Sequence, residues 1–158
     1  MLRAFAFILM VGVLASSASA EEIEVKMLDK GSDGAFMVFE PAYIEAHVGD
    51  VITFVPTHLN HNAETIRGML PEGAEGFRGK MNEKIAYTVT HEGVVGIKCL
   101  PHYGLGMVAL IVTPEPTNLE EAKKVRQFGK AKQRFKMMFE QYEASLATKT
   151  ADAAPVAP

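Results

Sequence analysis

The segment VVGIKCLPHYGLGMVALIVT, residues 94–113, contains two apolar runs on either side of a loop rich in glycine and proline. Both runs are rich in β-branched residues, which favour strands. The glycines and the proline between the runs are typical of a turn. We therefore expect two strands, at 94–99 and 107–113, joined by a short loop.

Short strands of the same kind are predicted through the first two thirds of the chain. Apolar or alternating runs, separated by turns rich in glycine, proline and aspartate, lie at 23–28, 36–39, 43–46, 51–55 and 84–89. Such a series predicts a mainly β fold, either a sandwich or a barrel. Residues 62–83 contain glycines and a proline without a steady period, so we expect a long loop there.

After two prolines the pattern favours helices. Thr117 and Glu120 have the spacing of a capping box, which predicts a helix from there to just before Gly129. Residues 131–146 predict a second helix with one apolar face. Residues 148–158 are rich in alanine and proline, and we expect them to be disordered.

The first twenty residues have the composition of a secretory signal peptide. Arg3 precedes an apolar run at 4–14, and the small residues up to Ala20 match a signal-peptidase site. The run is shorter than the roughly 20 residues that span a bilayer. We expect a soluble, exported chain that begins at Glu21. The formal net charge of −3 gives no reason to expect a nucleic-acid partner.

The loop within the opening segment has the composition of a metal site. Cys99 is the one cysteine of the chain, so it cannot form an internal disulfide. His102 and Met107 add an imidazole and a thioether, and this mixture of soft and borderline ligands suits copper. A blue-copper site needs a second histidine beside the thiolate, with a distant methionine on the axis.

Four histidines outside the loop are available as the second imidazole. His47 and His91 lie in turn segments, where a solvated role is the ordinary one. His58 and His61 both follow the predicted strand at 51–55, and spacing alone leaves the choice between them open.

A thiol enzyme is the main alternative from another class. Cys99 as nucleophile and His102 as base have a spacing that permits contact. The sequence offers no orienting third group and no oxyanion hole for such a pair. We therefore expect a protein that is not an enzyme.

Several stretches of the chain resemble pseudoazurins, which are small periplasmic members of the cupredoxin family. The resemblance lies in EIEVKMLDKG (22–31), MVFEPAYI (37–44), HNAETIRGMLPEGAEGF (61–77) and KCLPHYGLGMVALI (98–111). It implies a Greek-key β-sandwich or barrel at 21–116 and a pair of helices at 117–147 packed on it. It also implies one type 1 copper ion.

The resemblance implies a role for individual residues. The first ligand of the family is a histidine followed by asparagine, which corresponds to His61. Cys99, His102 and Met107 match the other ligand positions. Asn62 is expected to bind the ligand loop by hydrogen bonds. Independently of the resemblance, Pro101 lacks a backbone N–H group and is expected to restrain that loop.

The function implied is that of a monomeric periplasmic electron carrier, which donates electrons to a reductase such as copper nitrite reductase. Copper storage or delivery is the alternative. Electrons are expected to leave through His102, within an apolar patch that has a thinned ring of lysines. The residues predicted for partner docking are Leu59, Lys30, Lys98, Gly104, Leu105 and Gly106.

Overall fold

The computed structural model describes residues 19–152, which form two four-stranded sheets and two helices. The strands are β1 (Glu22–Lys30), β2 (Phe36–Glu40), β3 (Tyr43–Glu45), β4 (Val51–Pro56), β5 (Glu64–Thr65), β6 (Ile85–Thr88), β7 (Val94–Lys98) and β8 (Val108–Val112). The helices are α1 (Leu119–Lys124) and α2 (Gly129–Asp152). The prediction of a mainly β sandwich with two C-terminal helices is confirmed.

The sheets have the strand orders β2-β1-β4-β6 and β3-β8-β7-β5. β1 pairs in parallel with β4, and β3 pairs in parallel with β8, while the other neighbours are antiparallel. The inward residues of both sheets form one core, in which Phe39 and Phe54 meet edge to face with ring centroids 5.5 Å apart. This core reaches Cys99 and Met107 at one end of the sandwich.

β8 is buried on both of its faces. Ala109 and Ile111 belong to the core between the sheets, whereas Val108, Leu110 and Val112 pack in a second core beneath the helices. A strand covered on both sides reads as a continuous apolar run. The sequence VALIV therefore follows from the position of this strand between two cores.

The helices differ in detail from their predicted bounds. The capping box is wrong, because the Thr117 hydroxyl donates to the carbonyl oxygen of Glu92 at 2.8 Å and α1 begins at Leu119. Gly129 starts α2 instead of ending α1. α2 continues to Asp152, so the predicted disorder does not begin at 148.

The predicted signal peptide lies almost wholly outside the described residues, as do residues 153–158. Within the described part of the chain, neither helix combines the length and the apolar character that crossing a membrane requires.

Candidate metal centre

Three predicted ligands meet at one end of the sandwich. His61 lies in the loop between β4 and β5, Cys99 follows β7 directly, and His102 precedes a 3₁₀ turn at Tyr103–Leu105. The Nδ1 atoms of the two histidines lie 3.1 Å apart, and the Cys99 Sγ atom lies 3.8 Å from His61 and 3.6 Å from His102. Strands of both sheets thus bring together residues that are far apart in sequence.

This triangle fits a metal ion. An ion with trigonal bonds of about 2.0 Å to nitrogen and about 2.3 Å to sulfur separates its donor atoms by roughly 3.5–3.8 Å. The two edges to the Cys99 sulfur match this spacing, whereas the 3.1 Å between the two nitrogens is shorter than it. The described residues contain one cluster of His, Cys and acidic side chains able to hold a metal, namely His61, Cys99 and His102. Two imidazoles and one thiolate are the equatorial donors of a blue-copper site.

Met107 closes the loop that carries two of these residues. Its carbonyl oxygen accepts from the Cys99 amide at 2.9 Å, and its own amide donates to the carbonyl oxygen of His102 at 3.1 Å. Gly106 adopts a φ of 96°, a left-handed conformation that glycine tolerates best. The Met107 side chain is fully buried in the same core as Cys99.

Burial shifts the pKa values of two of the predicted ligands, Cys99 and His61. Burial raises the pKa of the Cys99 thiol, while backbone amides of Asn62 and His102 that reach the sulfur act in the opposite direction. Burial lowers the pKa of His61, and the hydrogen bond to Asp29 opposes that shift. A metal ion must displace the thiol proton, so its binding releases a proton.

The structure adds Asp29 to the site. Its Oδ1 atom lies 2.9 Å from Nε2 of His61, the nitrogen that faces away from Cys99. Asp29 is in register with the inward residues Val25 and Met27 along β1, although its own side chain is exposed at the end of the strand. An acid in register with core positions was the sequence signal available.

Asn62 forms hydrogen bonds that join the two ligand loops. Its Oδ1 atom accepts from the backbone amide of Leu100 at 2.8 Å. Its Nδ2 atom donates to the carbonyl oxygen of Gly79 at 3.2 Å, and Asn62 is itself buried. Pro101 is exposed within the loop.

The other histidines lie away from the triangle. His58 is exposed, and its Nδ1 atom accepts from the backbone amide of Asp29 at 2.9 Å. His47 lies beside Asp50, and His91 beside Thr90. The structure therefore brings His61 to Cys99 and leaves His58 at the surface.

Exposed apolar side chains lie in the loops that carry His61 and the half-buried His102. Leu59 is 68% exposed and Leu105 51% exposed, and Phe128 packs against Gly104 at the edge of this area. We call these residues, together with Leu100, the apolar patch. Gly106, predicted to line it, is buried against α2 and does not reach the surface.

The two lysines predicted for docking differ in their exposure and in the partners of their ammonium groups. Lys30 is exposed, with its ammonium 5.7 Å from the centroid of the Phe36 ring. Lys98 is only 22% exposed, and its ammonium lies 3.2 Å from a carboxylate oxygen of Glu64. Lys98 also stands over the ring of Tyr103, so much of its charge is already partnered.

Arg134 of α2 binds backbone close to the site. Its Nη1 atom donates to the carbonyl oxygens of Gly106 and Met37, both at 2.7 Å. Its Nη2 atom donates to the carbonyl oxygen of Phe36 at 3.0 Å. Met37 has a φ of 53°, and the guanidinium holds this left-handed turn of β2 against the ligand loop.

Comparisons with known proteins show that the chain is similar to copper-binding proteins. Residues 25–114 match the family described as copper binding proteins, plastocyanin/azurin family. A pseudoazurin of Paracoccus pantotrophus is 51% identical over 122 residues, which cover 77% of this chain and 83% of that protein.

Among solved structures, the chain is also similar to pseudoazurins. A pseudoazurin from Sinorhizobium meliloti is 45% identical and matches with a TM-score of 0.76 over 78% of this chain and 97% of that one. A pseudoazurin from Methylobacterium extorquens is 42% identical, with a TM-score of 0.74 over 77% and 99% of the two chains. The chain belongs to the plastocyanin/azurin family of copper-binding proteins and, within it, to the pseudoazurins.

Proposed function

We propose that this chain is a single-electron carrier that holds one type 1 copper ion between His61, Cys99, His102 and Met107. The observation that carries the proposal is the buried triangle of two Nδ1 atoms and one Sγ atom, with edges of 3.1, 3.6 and 3.8 Å. When bound, copper supplies a couple between Cu(I) and Cu(II), and the donor set is the one preferred by blue-copper sites. Membership of the pseudoazurins supports a carrier and not an enzyme.

The protein frame keeps the ligand positions nearly constant between the two oxidation states. The bond from the Leu100 amide to Asn62 fixes one ligand loop to the other. The bond from the Cys99 amide to the Met107 carbonyl closes the Cys99 loop on itself. Little structural rearrangement then accompanies the transfer of an electron, which favours rapid exchange.

The route for electrons leads through His102. His61 is fully buried, whereas His102 is half-buried within the apolar patch. A small apolar surface suits brief docking, since electron-transfer interfaces are at the small and weak end of protein contacts. The proposed acceptor is a reductase such as copper nitrite reductase, reached by a monomer in the periplasm after cleavage following Ala20.

The visible spectrum of the copper-loaded protein tests the site. We expect an intense thiolate-to-copper band that is absent in Cys99→Ser. His58→Ala is a matched control, because His58 lies outside the triangle, and it should keep the band. A colourless copper complex of the wild-type chain would contradict the proposal.

The rate of copper exchange and the rate of electron self-exchange distinguish storage or delivery of copper from electron transfer. A carrier should exchange its copper slowly with a chelator and exchange electrons rapidly between its oxidised and reduced forms. Rapid loss of copper combined with slow electron self-exchange would favour delivery instead.

A further inference from the structure

We propose that Asp29 is a positioning residue that fixes His61 in its metal-binding tautomer and, through its negative charge, lowers the reduction potential of the bound copper. This inference rests on the proposed function, because it concerns the copper that His61 would bind. Asp29 lies on β1, outside both ligand loops.

The contact orients the whole His61 side chain. Asp29 Oδ1 lies 2.9 Å from Nε2 of His61, on the opposite side of the ring from the Nδ1 atom that faces Cys99. His61 is fully buried, so no water competes for this nitrogen. A buried ring held at Nε2 has its orientation set before any metal arrives.

The same contact selects a tautomer. A carboxylate accepts hydrogen bonds, so Nε2 of neutral His61 carries the proton and donates to Asp29. Nδ1 then presents its lone pair to the site. A carboxylate behind a metal-binding histidine fixes the tautomer and raises the basicity of the ligand.

The backbone amide of Asp29 also binds a second histidine, His58. The Asp29 amide donates to Nδ1 of His58 at 2.9 Å, and Oδ2 lies 3.6 Å from that nitrogen. Nδ1 of His58 is therefore an acceptor, so Oδ2 makes no hydrogen bond with it. Among the described residues, the Asp29 carboxylate lies within ion-pair distance of His58 and His61 and of no lysine or arginine.

That charge acts differently on the two oxidation states. Cu(II) carries one more positive charge than Cu(I), so a nearby anion stabilises Cu(II) more strongly. Asp29 is partly exposed, and solvent weakens the effect without removing it. Asp29 should therefore raise the ratio of Cu(II) to Cu(I) affinity and lower the potential.

Three variants separate charge from position. Asp29→Asn removes the charge but keeps an oxygen that accepts from His61. Asp29→Ala removes both. Glu24→Gln is the control, because Glu24 is an exposed acid on the same strand and outside the contacts of the site.

We expect Asp29→Asn to lower the ratio of Cu(II) to Cu(I) affinity several-fold, seen as a higher reduction potential by voltammetry. A tenfold change in that ratio corresponds to about 59 mV for a one-electron couple. Glu24→Gln should leave the potential unchanged. Raising the salt concentration should narrow the gap between wild type and Asp29→Asn.

The positioning role is tested with zinc, which needs no redox chemistry. Asp29→Ala should bind zinc about 10–100-fold more weakly than wild type, the usual loss when such a partner is removed. Nitrogen NMR of the zinc form should show a protonated Nε2 on His61 in wild type and in Asp29→Asn. These readouts stand even if the wild-type protein proves not to be an electron carrier.

The proposal would be overturned by an unchanged potential in Asp29→Asn, or by an equal rise in Glu24→Gln. Unchanged zinc affinity in Asp29→Ala, or an unprotonated Nε2 on His61 in wild type, would overturn the positioning role. A wild-type copper complex without a thiolate band would count against the proposed function instead and leave the zinc results valid.

Discussion

The guanidinium of Arg134 donates to the carbonyl oxygen of Gly106 at 2.7 Å, although the two residues lie 28 positions apart. Gly106 directly precedes Met107, so a residue near the start of α2 is bonded to the backbone that carries a predicted ligand. The same Nη1 atom binds the carbonyl oxygen of Met37. One side chain therefore joins the last helix, strand β2 and the ligand loop.

Replacing Arg134 by methionine should destabilise the protein by about 1.5–3 kcal/mol, because hydrogen bonds to a charged donor are lost. The copper spectrum should also shift, since the backbone beside Met107 loses its donor. Urea unfolding and the visible spectrum measure the two effects. Lys132→Met, on an exposed position of the same helix, should change neither. An unaltered spectrum in Arg134→Met would show that the guanidinium does not influence the ligand loop.

Replacing Asn62 by alanine should cost about 1–3 kcal/mol of stability. The buried amide of Asn62 satisfies the Leu100 N–H group and the Gly79 carbonyl, and both lose a partner in the variant. Because Leu100 follows Cys99, we also expect a changed reduction potential. Chemical unfolding of the zinc form measures stability apart from redox chemistry. Stability equal to that of wild type would argue against a structural role for this amide.

Replacing Leu105 by glutamate should slow electron transfer to the proposed reductase by about tenfold, equivalent to about 1.4 kcal/mol of docking free energy. The charge disrupts the apolar patch while leaving the ligands in place. Stopped-flow mixing with copper nitrite reductase measures the rate. Met137→Glu is a matched control, because Met137 is 59% exposed on α2 and lies outside the patch. Equal slowing in both variants would place docking elsewhere.

Replacing Asp50 by asparagine should make the free energy of unfolding less dependent on pH in the acid range. Backbone amides of Glu21 and His47 donate to the Asp50 carboxylate at 2.8 and 2.7 Å, and they lower its pKa in the folded state. The ionised form is thus the stabilised one.

The resulting stability is complete above the unfolded pKa of about 3.9 and is lost as the pH falls through the lower folded value. Unfolding free energies between pH 7 and pH 2 should fall more steeply for wild type than for Asp50→Asn. Parallel curves for the two proteins would show that this carboxylate does not contribute.

Much of the fold follows from local patterns in the sequence. Each predicted strand appears within about two residues of its expected bounds, because apolar alternation and turn residues act locally. β5 is not predicted because a strand of two residues is too short to show a period in its sequence. Its pairing with β7 is what defines it as a strand. The capping box failed because Thr117 found a tertiary partner in Glu92.

The candidate site also has a part that local sequence predicts and a part that it does not. The loop from Cys99 to Met107 is a single segment, so its ligand types and spacing are visible directly. The contacts of Asp29 with His61 and of Arg134 with Met37 span 32 and 97 positions. Such pairs depend on how the sheets and helices pack, which local patterns do not encode.

Because β8 is buried on both of its faces, the helices cannot be removed without exposing one face of this strand. Val108, Leu110 and Val112 face the helices, while the opposite face of the same strand belongs to the core that reaches Cys99. Trimming α2 would leave an apolar stripe uncovered on the strand that follows Met107. The helices are therefore part of the structure that supports the ligand loop, and we expect the sandwich without them to be less stable.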